Sequence, residues 1–241
     1  MIRTVILVAV FLAGAALMSL EMASFRLVQP EFGSDIVVWG SLISVFLGGL
    51  AIGAYLGGRL ADRRPAMWKL ALVLAVAGVV TLTLPLYASA VLDWMYPGEG
   101  APLPAEWDRA GGGSASSADA GASDESAGGK LVVYEPPDLR WPVLGAGLLL
   151  FAGPSILLGM VTPYSARLLI QSIPSLGRGV GQVSAVSTVG SILGTLATAF
   201  YLVAWMGTRW LLAANGLVLV GLGAMLVIAH LTAHRRGSVP P

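Results

Sequence analysis

The chain has 241 residues, of which 56% are hydrophobic and only 11% charged, and its mean hydropathy is +0.80. A soluble domain has about 25% charged residues, so a soluble fold could not bury this much apolar surface. The net charge of +1 gives no basis for a nucleic-acid partner. The chain has no cysteine and only two histidines, which excludes disulfides and thiolate catalysis and disfavours a metal site. We therefore expect an all-α membrane protein that has the lipid bilayer as its solvent and needs no cofactor.

Six segments are apolar over the roughly 20 residues that a helix needs to cross a bilayer. The first could be taken for a signal peptide. Its apolar stretch from Thr4 to Leu20 is longer than the usual h-region, so we interpret it as an uncleaved helix. The predicted transmembrane helices are Thr4–Val28, Ile36–Gly57, Trp68–Leu92, Val143–Ile170, Gly181–Met206 and Trp210–Ala233.

The connections between these segments alternate in charge. Nine of the fourteen lysines and arginines, with a single acid, Asp62, fall on one side of the predicted membrane. The positive-inside rule then places this side and both termini in the cytoplasm, as expected for a multi-pass protein of the plasma membrane. The nine basic residues are Arg3, Arg59, Arg63, Arg64, Lys69, Arg167, Arg178, Arg235 and Arg236.

The longest connection, residues 93–140, is acidic and lies on the opposite, external side. Its middle, Gly111–Lys130, is rich in Gly, Ser and Ala and cannot bury enough apolar surface to fold, which predicts disorder. Leu131–Tyr134 is compatible with a short strand at the membrane surface. The connection separates two three-helix units, residues 1–92 and 141–241.

The two units share weak sequence similarity. Aligning Gly48 of the second helix with Gly194 of the fifth also aligns several neighbouring residues. The end of the first helix is similar to the end of the fourth, which aligns Arg26 with Arg167. Because the first helix runs outward and the fourth inward, this similarity predicts two inverted three-helix repeats, resembling half of a major facilitator transporter. Chance similarity between helices rich in Gly, Ala and Leu is the alternative.

Glycines recur every four residues in the second and fifth helices. Such spacing lets two helices approach closely, because packing drives helix association in lipid. We interpret these residues as a packing face inside the bundle, with a dimer interface or a sliding surface as the alternative. They are Gly49, Gly53 and Gly57 in the second helix and Gly190 and Gly194 in the fifth.

Several polar residues lie in or near apolar spans, where burying a polar side chain in the hydrocarbon costs free energy. Glu21 is the only acid within a span, and an intramembrane carboxylate is by default a functional-site hypothesis. We expect it near the outer edge of the hydrocarbon core, where a solvated structural role is the alternative. In the fourth helix, two prolines predict either a broken helix whose carbonyls line a cavity or a kinked packing helix. The predicted substrate-binding residues are Glu21, Arg26, Pro154, Thr162, Tyr164 and Arg167.

The segment from Phe11 to Arg64 resembles the membrane half of spermidine synthase-like proteins, in which a major-facilitator-like region is fused to a spermidine synthase. The match is carried by the pieces PEFGSD, WGSL and GGRLADRR, and it continues in LLGMVTPYSARLL and the helix that follows. GGRLADRR also resembles the loop signature between the second and third helices of major facilitator transporters. The resemblance implies that this loop motif holds helix ends together during transport; its residues here are Gly58, Arg59, Asp62 and Arg63.

The resemblance implies a transporter-like module that binds or moves a small solute, for example a polyamine, as a homodimer or with a separate synthase-like protein. The sequence shows no counterpart of the synthase domain. Aminopropyl transfer is therefore implied by the family name alone, no catalytic residue is assigned, and we do not expect an enzyme. A membrane anchor or scaffold without transport is the alternative.

Overall fold

The computed structural model describes residues 2–63, 65–95, 140–170 and 176–235. Within these ranges the chain is all-helical, and six helices are long and apolar enough to span a membrane, which confirms the predicted fold class. The predicted disordered stretch Gly111–Lys130 lies outside the described residues, as does the predicted strand Leu131–Tyr134. The helices are α1 (Ile2–Phe32), α2 (Ile36–Arg63), α3 (Met67–Met95), α4 (Arg140–Leu169), α5 (Leu176–Ala197) and α6 (Thr208–Arg235).

The short turn between α1 and α2 depends on two residues. Gly33 adopts a φ of 77° and its N–H donates to the Gln29 carbonyl, which ends α1 in a conformation that glycine adopts at no steric cost. The Asp35 carboxylate then accepts a 2.6 Å hydrogen bond from the Ile36 N–H at the start of α2. Because the turn is so short, α1 and α2 run in opposite directions.

The helices pack as three close pairs, α2 with α4, α1 with α5, and α3 with α6, while α1 and α4 contact each other at the centre. The first two pairs are parallel and the third is antiparallel, as the order of contacts along each pair shows. One end of the bundle, here called the Asp62 end, holds the starts of α1, α3 and α5. The other, the Asp35 end, holds the starts of α2, α4 and α6.

Glycines make the parallel pairs possible. A methyl group added at Gly49 would overlap the Ser155 side chain, and one added at Gly53 would overlap the Ile156 carbonyl. Gly57 lies against Met160 in the same way. These contacts put the glycine stripe of α2 inside the bundle, against α4.

Glycines also allow α1 and α5 to pack closely. Gly190 lies against the Phe11 carbonyl, and Gly194 lies against the backbone of Ala15. By contrast, Gly40 and Gly48, on another face of α2, have no atom within 4 Å of an added methyl group. Helix packing within the chain therefore accounts for the positions of the five predicted glycines. It does not account for Gly40 and Gly48, which we call the second glycine stripe.

Candidate functional site

A cavity of about 340 Å³ lies between α1, α2, α4 and α5, in the half of the bundle nearer the Asp62 end. Its wall is mostly apolar, with polar groups from Thr162 on α4 and from Ser184 and Ser187 on α5. Gly14 and Ala54 are among the small residues of the wall. A mostly apolar cavity with a few placed polar groups is the usual form of a small-molecule site.

Glu21 lies on the α1 face that lines this cavity. Val10, Gly14 and Leu17 belong to the cavity wall, and Glu21 follows Leu17 at the next turn of the same face. Its side chain is half-buried, and within the described ranges its carboxylate has no ion-pair partner. Because α1 extends from Ile2 to Phe32, Glu21 lies about 6 Å beyond the middle of the helix, on the side of the Asp35 end.

One residue of the loop motif, Asp62, contacts a second helix at the Asp62 end. The Arg167 side chain, at the end of α4, forms an ion pair with Asp62 at 3.6 Å. Both side chains are half or more exposed, so the pair contributes little stability by itself. Arg59 donates a 3.0 Å hydrogen bond to the hydroxyl of Tyr55, one turn earlier on α2. Gly58 and Arg63 are the sequence neighbours of Arg59 and Asp62.

Tyr164 fixes the connection between α2 and α3. Its hydroxyl accepts a 2.9 Å hydrogen bond from the Ala66 N–H and donates one of 3.0 Å to the Ala66 carbonyl. The ring is almost completely buried. Tyr164 and Arg167 thus hold α4 to the α2–α3 connection, and neither is among the residues that line the central cavity.

The six predicted substrate-binding residues do not form one site. Thr162 lines the central cavity and Glu21 lies on its α1 face, whereas Arg26 lines a different cavity at the Asp35 end. Pro154 is buried within α4, which runs as one helix from Arg140 to Leu169 through both of its prolines. Of the two alternatives for the fourth helix, the broken helix is therefore wrong.

The irregular backbone directly follows α5 instead, within the same candidate membrane span, Gly177–Trp205. A π-helical segment, Thr198–Leu202, follows Ala197 and leads into the last α-helical turn, Val203–Trp205. Thr198 is fully buried, and its hydroxyl has no hydrogen-bond partner among the described residues. A π segment is a common feature of functional sites, and nothing in the local sequence marks this one.

A buried polar contact between α1 and α6 was also missed. The Asn215 side-chain amide donates a 2.8 Å hydrogen bond to the Ser19 hydroxyl, and both residues are more than nine-tenths buried. Asn215 is the only asparagine of the chain and lies within an apolar span, and this feature of the sequence could have predicted a buried polar contact. A satisfied amide inside a membrane bundle fixes how two helices face each other.

In the part of the chain that the structure describes, six helices are long and apolar enough to cross a membrane, which defines the class as a multi-pass membrane protein. Comparisons with protein-family models, with curated proteins and with solved structures found no match.

Proposed function

We propose that the chain is a transporter-like membrane module that binds a small solute in the central cavity. The observation that carries the proposal is the cavity itself, which lies between four spanning helices. Glu21, whose carboxylate has no ion-pair partner among the described residues, lies one turn beyond the cavity wall on the same α1 face. Intramembrane carboxylates are expensive and mark solute or ion pathways in many membrane proteins. The resemblance to spermidine synthase-like proteins suggests a polyamine as the solute.

The proposed architecture is two inverted three-helix repeats. Gly53 lies against Ile156 in the α2–α4 pair, and Gly194 lies against Ala15 in the α5–α1 pair. One constant offset relates Gly53 to Gly194 and Ala15 to Ile156, so the two contacts are equivalent. The same offset relates Arg26 to Arg167, as the sequence suggested, but it makes Gly53 rather than Gly48 the counterpart of Gly194.

The third pair supports the same relation. A methyl group added at Gly78 would lie 2.6 Å from the Val220 nitrogen, and one added at Gly216 would lie 2.7 Å from the Leu82 nitrogen. Exchanging the two halves of the chain converts one contact into the other, at an offset of 138 residues (216 − 78 and 220 − 82) rather than the 141 (194 − 53) of the first two pairs. Transporter folds use such inverted repeats to build a site near the middle of the membrane, where two repeats meet.

Six helices are half of the twelve in a major facilitator transporter, so we propose that a second copy or a separate synthase-like protein completes the pathway. α2 and α5 flank the cavity and are the two least buried spans, which leaves their outer faces to lipid or to a partner. We further propose that the Asp62 end, with most of the basic residues, faces the cytoplasm of a cell with this protein in its plasma membrane.

Glu21→Gln tests whether the solute is a cation. Polyamines are positively charged at neutral pH, and a desolvated carboxylate is their natural counter-charge. The variant should fold, because a neutral amide is cheaper to bury, but it should bind spermidine about tenfold to a hundredfold more weakly. Isothermal titration of spermidine into the purified protein measures this difference.

Asp93→Asn provides the control, since Asp93 is an exposed carboxylate near the end of α3, whereas Glu21 is half-buried, and Asp93 lines neither the central cavity nor the other cavity, at the Asp35 end. Its spermidine affinity should equal that of the wild type. Equal affinity of the Glu21 variant and the wild type would remove Glu21 from the site. An absence of spermidine binding by the wild type would remove the polyamine and favour the membrane anchor, for which the close glycine packing is the supporting observation.

A further inference from the structure

A second cavity, of about 440 Å³, opens at the Asp35 end between α1, α3 and α6. It shares no lining residue with the central cavity. Its floor is apolar, and its polar and aromatic lining consists of Arg26, Glu31, Ser89, Thr208, Arg209 and Trp210.

The charges of this cavity come from two helices. Arg26 and Glu31 lie near the end of α1, and Arg209 lies in the first turn of α6. All three side chains are exposed, and within the described part of the chain none of them forms an ion pair. Two guanidinium groups can bind a phosphate, which accepts bidentate hydrogen bonds from arginine. The nearby carboxylate would repel a ligand that carries only negative charge, but it would attract an ammonium group on the same ligand.

Tryptophans place the cavity at the level of lipid headgroups. Four exposed tryptophans surround the Asp35 end, at the ends of α3 and α5 and the starts of α4 and α6. Tryptophan is enriched at membrane–water interfaces, where its ring lies among the headgroups. One of the four, Trp210, lines the cavity itself. The four are Trp94, Trp141, Trp205 and Trp210.

We propose that this cavity binds a phosphate–ammonium zwitterion, with Arg26 and Arg209 on the phosphate and Glu31 on the ammonium. The headgroup of phosphatidylethanolamine has this chemistry and lies at this depth, and soluble phosphoethanolamine shares the chemistry without the acyl chains. The apolar floor, which includes Leu27 and Leu92, favours the lipid as the source. The inference is independent of solute binding in the central cavity.

Titration of the purified full chain in detergent with short-chain phosphatidylethanolamine, followed by native mass spectrometry, tests the proposal. The wild type should bind one such lipid in preference to short-chain phosphatidylglycerol. Arg26→Gln and Arg209→Gln should each weaken binding about tenfold. Arg178→Gln is the matched control, because Arg178 is likewise an exposed arginine in the first turn of a spanning helix, α5, but at the Asp62 end.

Glu31→Gln provides a second test that does not depend on the arginine variants folding. It should lower affinity for phosphatidylethanolamine and raise affinity for phosphatidylglycerol, so that the headgroup preference is lost. Unchanged preference in this variant, or wild-type binding in both arginine variants, would overturn the proposal. Competition by soluble phosphoethanolamine at the same concentration as the lipid would keep the zwitterion site but overturn the lipid as its source.

Discussion

Gly53→Ala should destabilise the protein by about 1–3 kcal/mol, whereas Gly48→Ala should leave its stability unchanged or raise it slightly. At Gly53 the new methyl group overlaps the Ile156 carbonyl, so α2 and α4 must separate or shift, and overpacking of a close interface has a cost of this size. At Gly48 no described atom beyond the local helix backbone and the two adjacent residues lies within 4 Å of the new group, and alanine favours the helix by up to about 1 kcal/mol.

Thermal unfolding in detergent, followed by tryptophan fluorescence, compares the two variants with the wild type. The two glycines lie on the same helix, so differences in helix propensity largely cancel. Equal shifts for both variants would contradict the close α2–α4 packing. A loss of stability at Gly48 accompanied by a change in elution volume would instead place the second glycine stripe at an interface between copies.

Ala54→Trp should abolish solute binding in the central cavity without unfolding the protein. Ala54 lines the cavity from α2 and is exposed, so an indole ring can enter the open space rather than strain the packed core. Filling the space should weaken spermidine binding at least about tenfold. Ala51→Trp is the control, because Ala51 is an exposed alanine one turn earlier and does not belong to the cavity wall. Equal losses in both variants would mean that the solute binds elsewhere.

The sequence predicted the six spans because apolar length alone decides whether a helix can cross a bilayer, and each predicted helix overlaps its counterpart in the structure. The ends were less accurate: α1 continues to Phe32 and α2 to Arg63, because polar residues outside the hydrocarbon can continue a helix until a turn such as Gly33 ends it. Glycine spacing correctly indicated close packing, but only the structure identifies the partners of Gly53 and Gly194.

The candidate site was less predictable, since a cavity depends on which helices are neighbours. Thr162 could be selected as a polar residue in a span, yet its neighbours on α1 and α5 come from distant parts of the chain. Tyr164 was predicted to bind substrate by the same reasoning, but its hydroxyl forms hydrogen bonds with the Ala66 backbone instead. No residue pattern in the sequence predicts the π segment that begins at Thr198.

Spermidine uptake into proteoliposomes is the most direct test of a transporter-like module. Equal amounts of wild type and Ala54→Trp are reconstituted, and entry of radiolabelled spermidine is compared with that into protein-free liposomes. The account predicts saturable entry with the wild type and entry at the protein-free level with Ala54→Trp. Wild-type entry no faster than that into protein-free liposomes, at spermidine concentrations that saturate binding, would contradict transport and leave a solute-binding or anchoring membrane protein.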